Sequence, residues 1–269
     1  MIPILWQGDG LVVGTHDLFS VLAILIGFAI YYRSLHRSGL LEERIVIASL
    51  SVLVGGVIGA RLITAWEHPA FYVDSIAAGA PLGWIIENSG KSILGALAGG
   101  YLAGAVAKRL LGYRGSTADH YALAIPVATA VGRIGCFLSE LPLGTPTSLP
   151  WGMTVSPDAA AAFPRCPGCG GPMHPSMLYE IGFHVGAFAL ITTRGPLLPV
   201  RGDTLKAYLL AYGVFRFLIE FIRGNEVQWA GLTGPQLVLI PLVALLVIHF
   251  VRQLRSGVYR MPAAQPAIA

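Results

Sequence analysis

Arg61, Arg133 and Arg216 each fall in or at the end of an apolar run, where a fixed positive charge is costly unless an anion or a strongly polar group meets it. A guanidinium stays charged in such a setting and presents a planar fork of donors that matches carboxylate or phosphate oxygens. The chemistry open to these residues is the binding of an acid in apolar surroundings. Glu220 lies four residues after Arg216 and Tyr212 four before it, so Tyr212, Arg216, Glu220 and, one turn on, Arg223 make a polar stripe on one helical face. On one reading these groups neutralise one another and lock helix packing. On the other they bind an anion: three arginines against one clear carboxylate, Glu220, leave positive charge in excess. The second reading is preferred, with lipid phosphate as the anion.

Other residues suggest supporting roles. Gly132 and Gly135 flank Arg133 and either admit a neighbouring helix or loosen the helix end, freeing backbone N–H groups for phosphate. Close helix packing is the reading for Gly55, Gly56 and Gly59 and for Gly95, Gly99, Gly100 and Gly104. Cys166-Pro167-Gly168-Cys169 reads as a small structural disulfide on an oxidising side of the membrane, with zinc binding or redox chemistry as the alternatives. Zinc would need two further ligands, and His174 is the only nearby histidine. The tract His174-Pro175-Ser176-Met177-Leu178-Tyr179-Glu180 opens a helix, since proline and an early acid both suit a helix N-terminus. His174 is equally well placed to contact a lipid head group.

A membrane bundle must position all of these. The chain is 55% hydrophobic and 12% charged, and its mean hydropathy of +0.67 is far above that of soluble proteins. Seven apolar stretches approach the roughly 20 residues that cross a bilayer: 17–33, 45–66, 92–112, 120–138, 175–193, 204–222 and 234–251. Of the 18 Lys and Arg, 12 gather in alternate connections: Arg33, Arg37 and Arg44; Lys108, Arg109 and Arg114; Arg194, Arg201 and Lys206; and Arg252, Arg255 and Arg260. By the positive-inside rule the N-terminus is outside and the C-terminus cytoplasmic. The expected fold is an all-α polytopic membrane protein with seven transmembrane helices. Residues 1–258 form a single transmembrane domain with an outer loop at 139–174, and 259–269 form a disordered cytoplasmic tail. Met1 to Thr15 lacks a basic start and a small-residue cleavage site, so the first helix is expected to act as an uncleaved signal.

The residues resemble the prolipoprotein diacylglyceryl transferases. Gly132-Arg133-Ile134-Gly135-Cys136-Phe137 looks like that family's G-R-hydrophobic-G-N-F signature, and it is followed by Gly144 and Pro150-Trp151-Gly152. His174 to Glu180 is close to H-P-S-Q-L-Y-E, and the stretch from Tyr212 through Arg216 and Glu220 to Arg223 is also similar. Gly231 to Gln236 and Gly59-Ala60-Arg61 extend the likeness over residues 55 to 240. The resemblance implies transfer of a diacylglyceryl group from phosphatidylglycerol to the lipobox cysteine thiol of a prolipoprotein signal peptide, in a bacterial inner membrane, without a cofactor or nucleic acid. Arginines would stabilise the phosphate as it leaves.

The residues expected to carry catalysis are Arg133, Arg216, Tyr212, Glu220 and His16. Those expected to hold substrate and membrane lipid are Arg61, Gly132, Gly135, Cys136, Gly144, His174 and Arg223. The sequence departs from the family at the chemistry. Cys136 and Ser139 stand where it carries asparagines, Leu141 where it carries a glutamate with Glu140 one residue early, and Leu94 where it carries a histidine. A substitute base is sought among His16, Lys91, His174 and Glu220, with His16 beside Asp17 first. A related transferase of other specificity and a non-catalytic lipid- or lipoprotein-binding relative are the alternatives.

Overall fold

The computed structural model describes residues 2–8, 11–163, 166, 168–195 and 198–260. A hairpin of β1 (Ile4–Gly8) and β2 (Leu11–Gly14) leads into α1 (Thr15–Arg37). Next come α2 (Glu43–Glu67), the short helices α3 (Pro69–Ala77) and α4 (Leu82–Asn88), then α5 (Ile93–Leu110) and α6 (Ala118–Leu138). The following loop carries α7 (Pro157–Ala162) and ends at α8 (Ser176–Arg194); α9 (Asp203–Ile219) continues as a 3-10 turn, Glu220–Ile222. A second hairpin, β3 (Val227–Trp229) and β4 (Leu232–Thr233), precedes α10 (Gly234–Arg255).

Each apolar stretch of the sequence contains a helix. Five of them, α1, α2, α5, α6 and α10, are long and apolar enough to cross a membrane. Helix α9 is shorter at 17 residues, and α8 carries Glu180 and His184 fully buried. The short helices α3, α4 and α7 and the two hairpins add local structure that no long apolar run announces. Of the tail, residues 261–269 lie outside the described residues, while Tyr259 sits in a 3-10 turn with its hydroxyl 2.6 Å from Asp203.

Residue contacts divide the chain into two compact units: residues 1–39, 116–225 and 243–269, and residues 40–115 and 226–242. In the second, α2 packs along α5 through glycine. A Cβ at Gly59 would collide with the Gly95 carbonyl and lie 2.9 Å from the Gly99 Cα, and one at Gly55 would collide with Ala103. Backbones can approach this closely only where both helices lack side chains. Ser92 caps α5 by accepting from the Gly95 N–H at 3.3 Å, and its hydroxyl donates to buried Glu67 at 2.8 Å.

In the first unit α6 is central, with α1, α8 and α9 packed on it. The start of α9 is tied down by Asp119, whose carboxylate accepts from the N–H groups of Gly202 at 2.6 Å and Leu205 at 3.3 Å. Buried Asp203 accepts from Lys206 and His249, each at 2.8 Å. The 139–174 loop is no open coil. It folds over Cys136, Met153, Val155, Met173 and Met177, and Met173 bridges to both Pro146 and Met153. A disulfide joins Cys166 to Cys169. Glu140 enters the loop in a left-handed conformation, φ 54°, and its carboxylate accepts from the Ser156 N–H at 2.9 Å. Hydrogen bonding from Ser156 holds the Glu140 carboxyl well below the usual carboxylate range, at about 2.

Gly59→Val is expected to destabilise the protein by about 1–3 kcal/mol through overpacking. Gly83→Ala, at a position with nothing within 4 Å, should not. Thermal melting in detergent compares them. The lowered pKa of Glu140 means its anchoring of the loop is full above the normal carboxylate range and is lost as pH falls toward about 2. Peptic cleavage of the loop should therefore rise between about pH 4 and pH 2 in the wild type. In Glu140→Gln that pH dependence should largely disappear.

Candidate active site

Arg133, near the C-terminal end of α6, is 6% exposed, and Glu180, one turn into α8, is fully buried. Arg133 Nε and Nη2 both lie 2.8 Å from Glu180 Oε2. Tyr212 of α9 donates its hydroxyl to the same oxygen at 3.2 Å, and Arg223 Nη1 donates to the other, Oε1, at 2.7 Å. One carboxylate thus joins α6, α8, α9 and the segment after the 3-10 turn. Beside it, Arg216 pairs with Glu220 four residues on, and Asn225 Nδ2 donates to the other Glu220 oxygen.

The sequence anticipated the Arg216–Glu220 pair from its helical spacing. It missed Glu180, whose position near a helix start offered a sufficient local explanation. Charge arithmetic was the usable signal, because buried arginines need carboxylates nearby. Among the described residues the ion pairs of the cluster join three guanidiniums, Arg133, Arg216 and Arg223, to two carboxylates, Glu180 and Glu220, a formal excess of one positive charge. Arg223 Nε is buried with no hydrogen-bond partner among the described residues. His184, one turn below Glu180, is fully buried, with Nδ1 3.0 Å from the Tyr208 hydroxyl and Nε2 without a partner among the described residues. It too was missed.

His16 stands at the start of α1, where Gly135 makes room for Phe19: a Cβ at Gly135 would collide with Phe19, while the His16 Cα would lie at an ordinary 3.7 Å. Helix α6 runs unbroken through Gly132 and Gly135, so neither loosens its end, and the close-approach reading holds for Gly135. The buried Cys136 thiol lies 3.8 Å from Arg133 Nη1 and within hydrogen-bonding reach of His16. The His16 ring is 38% exposed and lies 3.9 Å from Asp17.

A family model described as prolipoprotein diacylglyceryl transferase matches residues 3–252. The chain belongs to the prolipoprotein diacylglyceryl transferase family. Relatives named phosphatidylglycerol–prolipoprotein diacylglyceryl transferase include one from Bordetella parapertussis, 33% identical over 82% of this chain and 85% of its own. Another, from Geobacter sulfurreducens, is 30% identical over 82% of this chain and 81% of its own. A third, from Clostridioides difficile, is 25% identical over 92% and 90%.

The positions read from the sequence as departures from the family signature are apolar or enclosed. Leu94 is buried in the first turn of α5, Leu141 packs on the loop core, and the Ser139 hydroxyl is buried without a partner among the described residues. Gly144 rests against the backbone of His174, where any side chain would collide with the His174 carbonyl. His174 Nδ1 is 3.3 Å from the Tyr179 hydroxyl, to which Trp151 Nε1 donates at 2.9 Å. Arg61 lies in the other unit, where its Nη1 donates to the Gly90 carbonyl at 2.7 Å and to the Ser89 hydroxyl at 3.1 Å.

Glu180→Gln leaves Arg133 and Arg223 buried without their shared carboxylate, and should cost about 3–5 kcal/mol. Thermal melting in detergent measures it; an unchanged melting temperature would show that the two guanidiniums do not depend on Glu180.

Proposed function

We propose that this family member transfers the diacylglyceryl group of phosphatidylglycerol to the lipobox cysteine thiol of prolipoproteins, in the bacterial inner membrane. The observation that carries this is the buried cluster with more guanidinium than carboxylate charge, the electrostatics a lipid phosphate requires. Its seven apolar helices cross the membrane with the N-terminus outside and the C-terminus in the cytoplasm, in line with the placement of lysine and arginine. The Arg133 site then faces the outer half of the bilayer, where an acceptor exported through the membrane presents its cysteine.

The acceptor thiolate attacks the glycerol carbon bonded to the phosphate oxygen. That C–O bond breaks, a C–S bond forms, and glycerol phosphate departs with the electron pair. Arg133 and Arg216 stabilise the departing charge, which is worth far more in water-poor surroundings than in solvent. Glu180 and Tyr212 hold Arg133 in place, and Glu220 holds Arg216. His16 takes the thiol proton, a role that its half-exposed ring beside Asp17 and Cys136 supports.

Purified protein incubated with labelled phosphatidylglycerol and a lipobox peptide tests this. Lipidated peptide is expected; lipid turnover without it would indicate another acceptor, and binding without turnover a non-catalytic role. Arg133→Ala and Arg216→Ala should abolish transfer while eluting as folded protein in detergent, and full activity in either would remove the phosphate role. Cys136→Ser should retain activity, because a packing group rather than a nucleophile is wanted there. Its inactivity at unchanged stability would assign the thiol a chemical part.

A further inference from the structure

The outer loop gathers all three cysteines and three of the five methionines into one cluster: Cys136, Met153, Met173 and Met177, with Cys166 and Cys169 packed against it. Cys136 is buried, but the two cysteines of the disulfide are only partly so. Their Cα atoms are 5.5 Å apart, and the turn they close contains Gly168, which is itself buried. A Cβ at Gly168 would lie 2.9 Å from the Gly144 carbonyl oxygen and 2.9 Å from the Met173 Cβ. The disulfide turn is thus pressed onto the loop core with no space to spare.

From that contact a chain of backbone interactions leads to the arginines. Gly144 rests against His174, and the His174 N–H donates to the Thr145 carbonyl at 2.9 Å. Ser176, the first residue of α8, donates its hydroxyl to the Leu143 carbonyl and is completely buried. One turn further along α8 is Glu180, which holds Arg133 and Arg223. The turn between Cys166 and Cys169 therefore braces the strand of chain that fixes where α8 begins.

We propose that the Cys166–Cys169 disulfide is a positioning group for the Arg133 site, making diacylglyceryl transfer depend on the redox state of the outer loop. This rests on the transferase reading above. A thiol reductant opens the bond in two steps. Its thiolate attacks one sulfur and expels the other as a thiolate, which takes a proton; a second reductant thiol then releases the remaining cysteine as a thiol. Two electrons and two protons pass to Cys166 and Cys169, and the reductant becomes a disulfide. The opened turn regains conformational freedom, Gly168 leaves Gly144, and the start of α8 loses its brace. Displacements of about 1 Å in a catalytic site lower rates by up to ~10²-fold.

The experiment measures lipidation of a lipobox peptide by purified full-length protein in glutathione buffers of graded potential, with mass spectrometry of alkylated Cys166 and Cys169 reporting their state. The wild-type rate should fall on the order of tenfold as the pair becomes reduced, in proportion to the free thiols. Cys166→Ser/Cys169→Ser should stay near the low rate throughout, which controls for the response of the peptide's own cysteine. Gly168→Ala, at a residue with ordinary φ, should lower the rate with the disulfide intact, because only the contact with Gly144 and Met173 is disturbed. Equal wild-type rates in the oxidised and reduced states, or a full rate in Gly168→Ala, overturn the proposal. These two measurements decide even if the double variant fails to fold. Absence of lipidation by the fully oxidised wild type overturns the transferase reading itself, and this inference with it.

Discussion

The carboxylate of Glu180 is the constraint on which the first unit turns. Three groups converge on its two oxygens: the Arg133 guanidinium through Nε and Nη2, the Arg223 guanidinium and the Tyr212 hydroxyl. Each comes from a different part of the chain, so the charge balance of a buried site also sets the packing of α6, α8 and α9. Removing a buried charge from water is costly, and partners recover that cost only when geometry and hydrogen bonding are good. The arrangement compensates the arginines without cancelling them, since Glu180 and Glu220 together fall one charge short of three guanidiniums.

Around that centre, small residues and a folded loop do the positioning. Gly135 lets Phe19 of α1 pack close against α6, and Gly144 lets the loop lie on His174. The loop's sulfur-rich core explains how a long connection rich in proline and glycine holds a fixed conformation beside the site. Methionine fills irregular space well, the Glu140–Ser156 hydrogen bond ties the start of the loop to its middle, and the disulfide closes a local turn packed on the same core. In the other unit the same device appears in purer form, with α2 and α5 joined by facing glycines and Arg61 held by the turn before α5.

Much of this was legible in the residues. Apolar runs marked the long helices to within a few positions, because the need to satisfy backbone groups in hydrocarbon leaves helix as the available form. Helical spacing marked the Arg216–Glu220 pair. Glu180 escaped because its partners lie 47 and 43 residues away in sequence, on other elements, and no local pattern encodes such distances. His184 escaped for the same reason: a histidine in an apolar run says nothing of which side chains enclose it. The short helices α3, α4 and α7 and the two hairpins were likewise hidden, being set by turns and local packing rather than by long periodic runs.

By itself the sequence determined the helical, membrane-suited character of the chain, the locations of its long helices, its family and the presence of arginines needing an anion. Those follow from composition, local periodicity and residue order, which the chain carries whatever its tertiary fold. Only the tertiary structure decided which carboxylate meets which arginine, that His16 reaches Cys136 beside Arg133, and that the Cys166–Cys169 turn bears on Gly144. Such contacts arise where helices far apart in sequence pack, and packing depends on the shapes of whole faces at once.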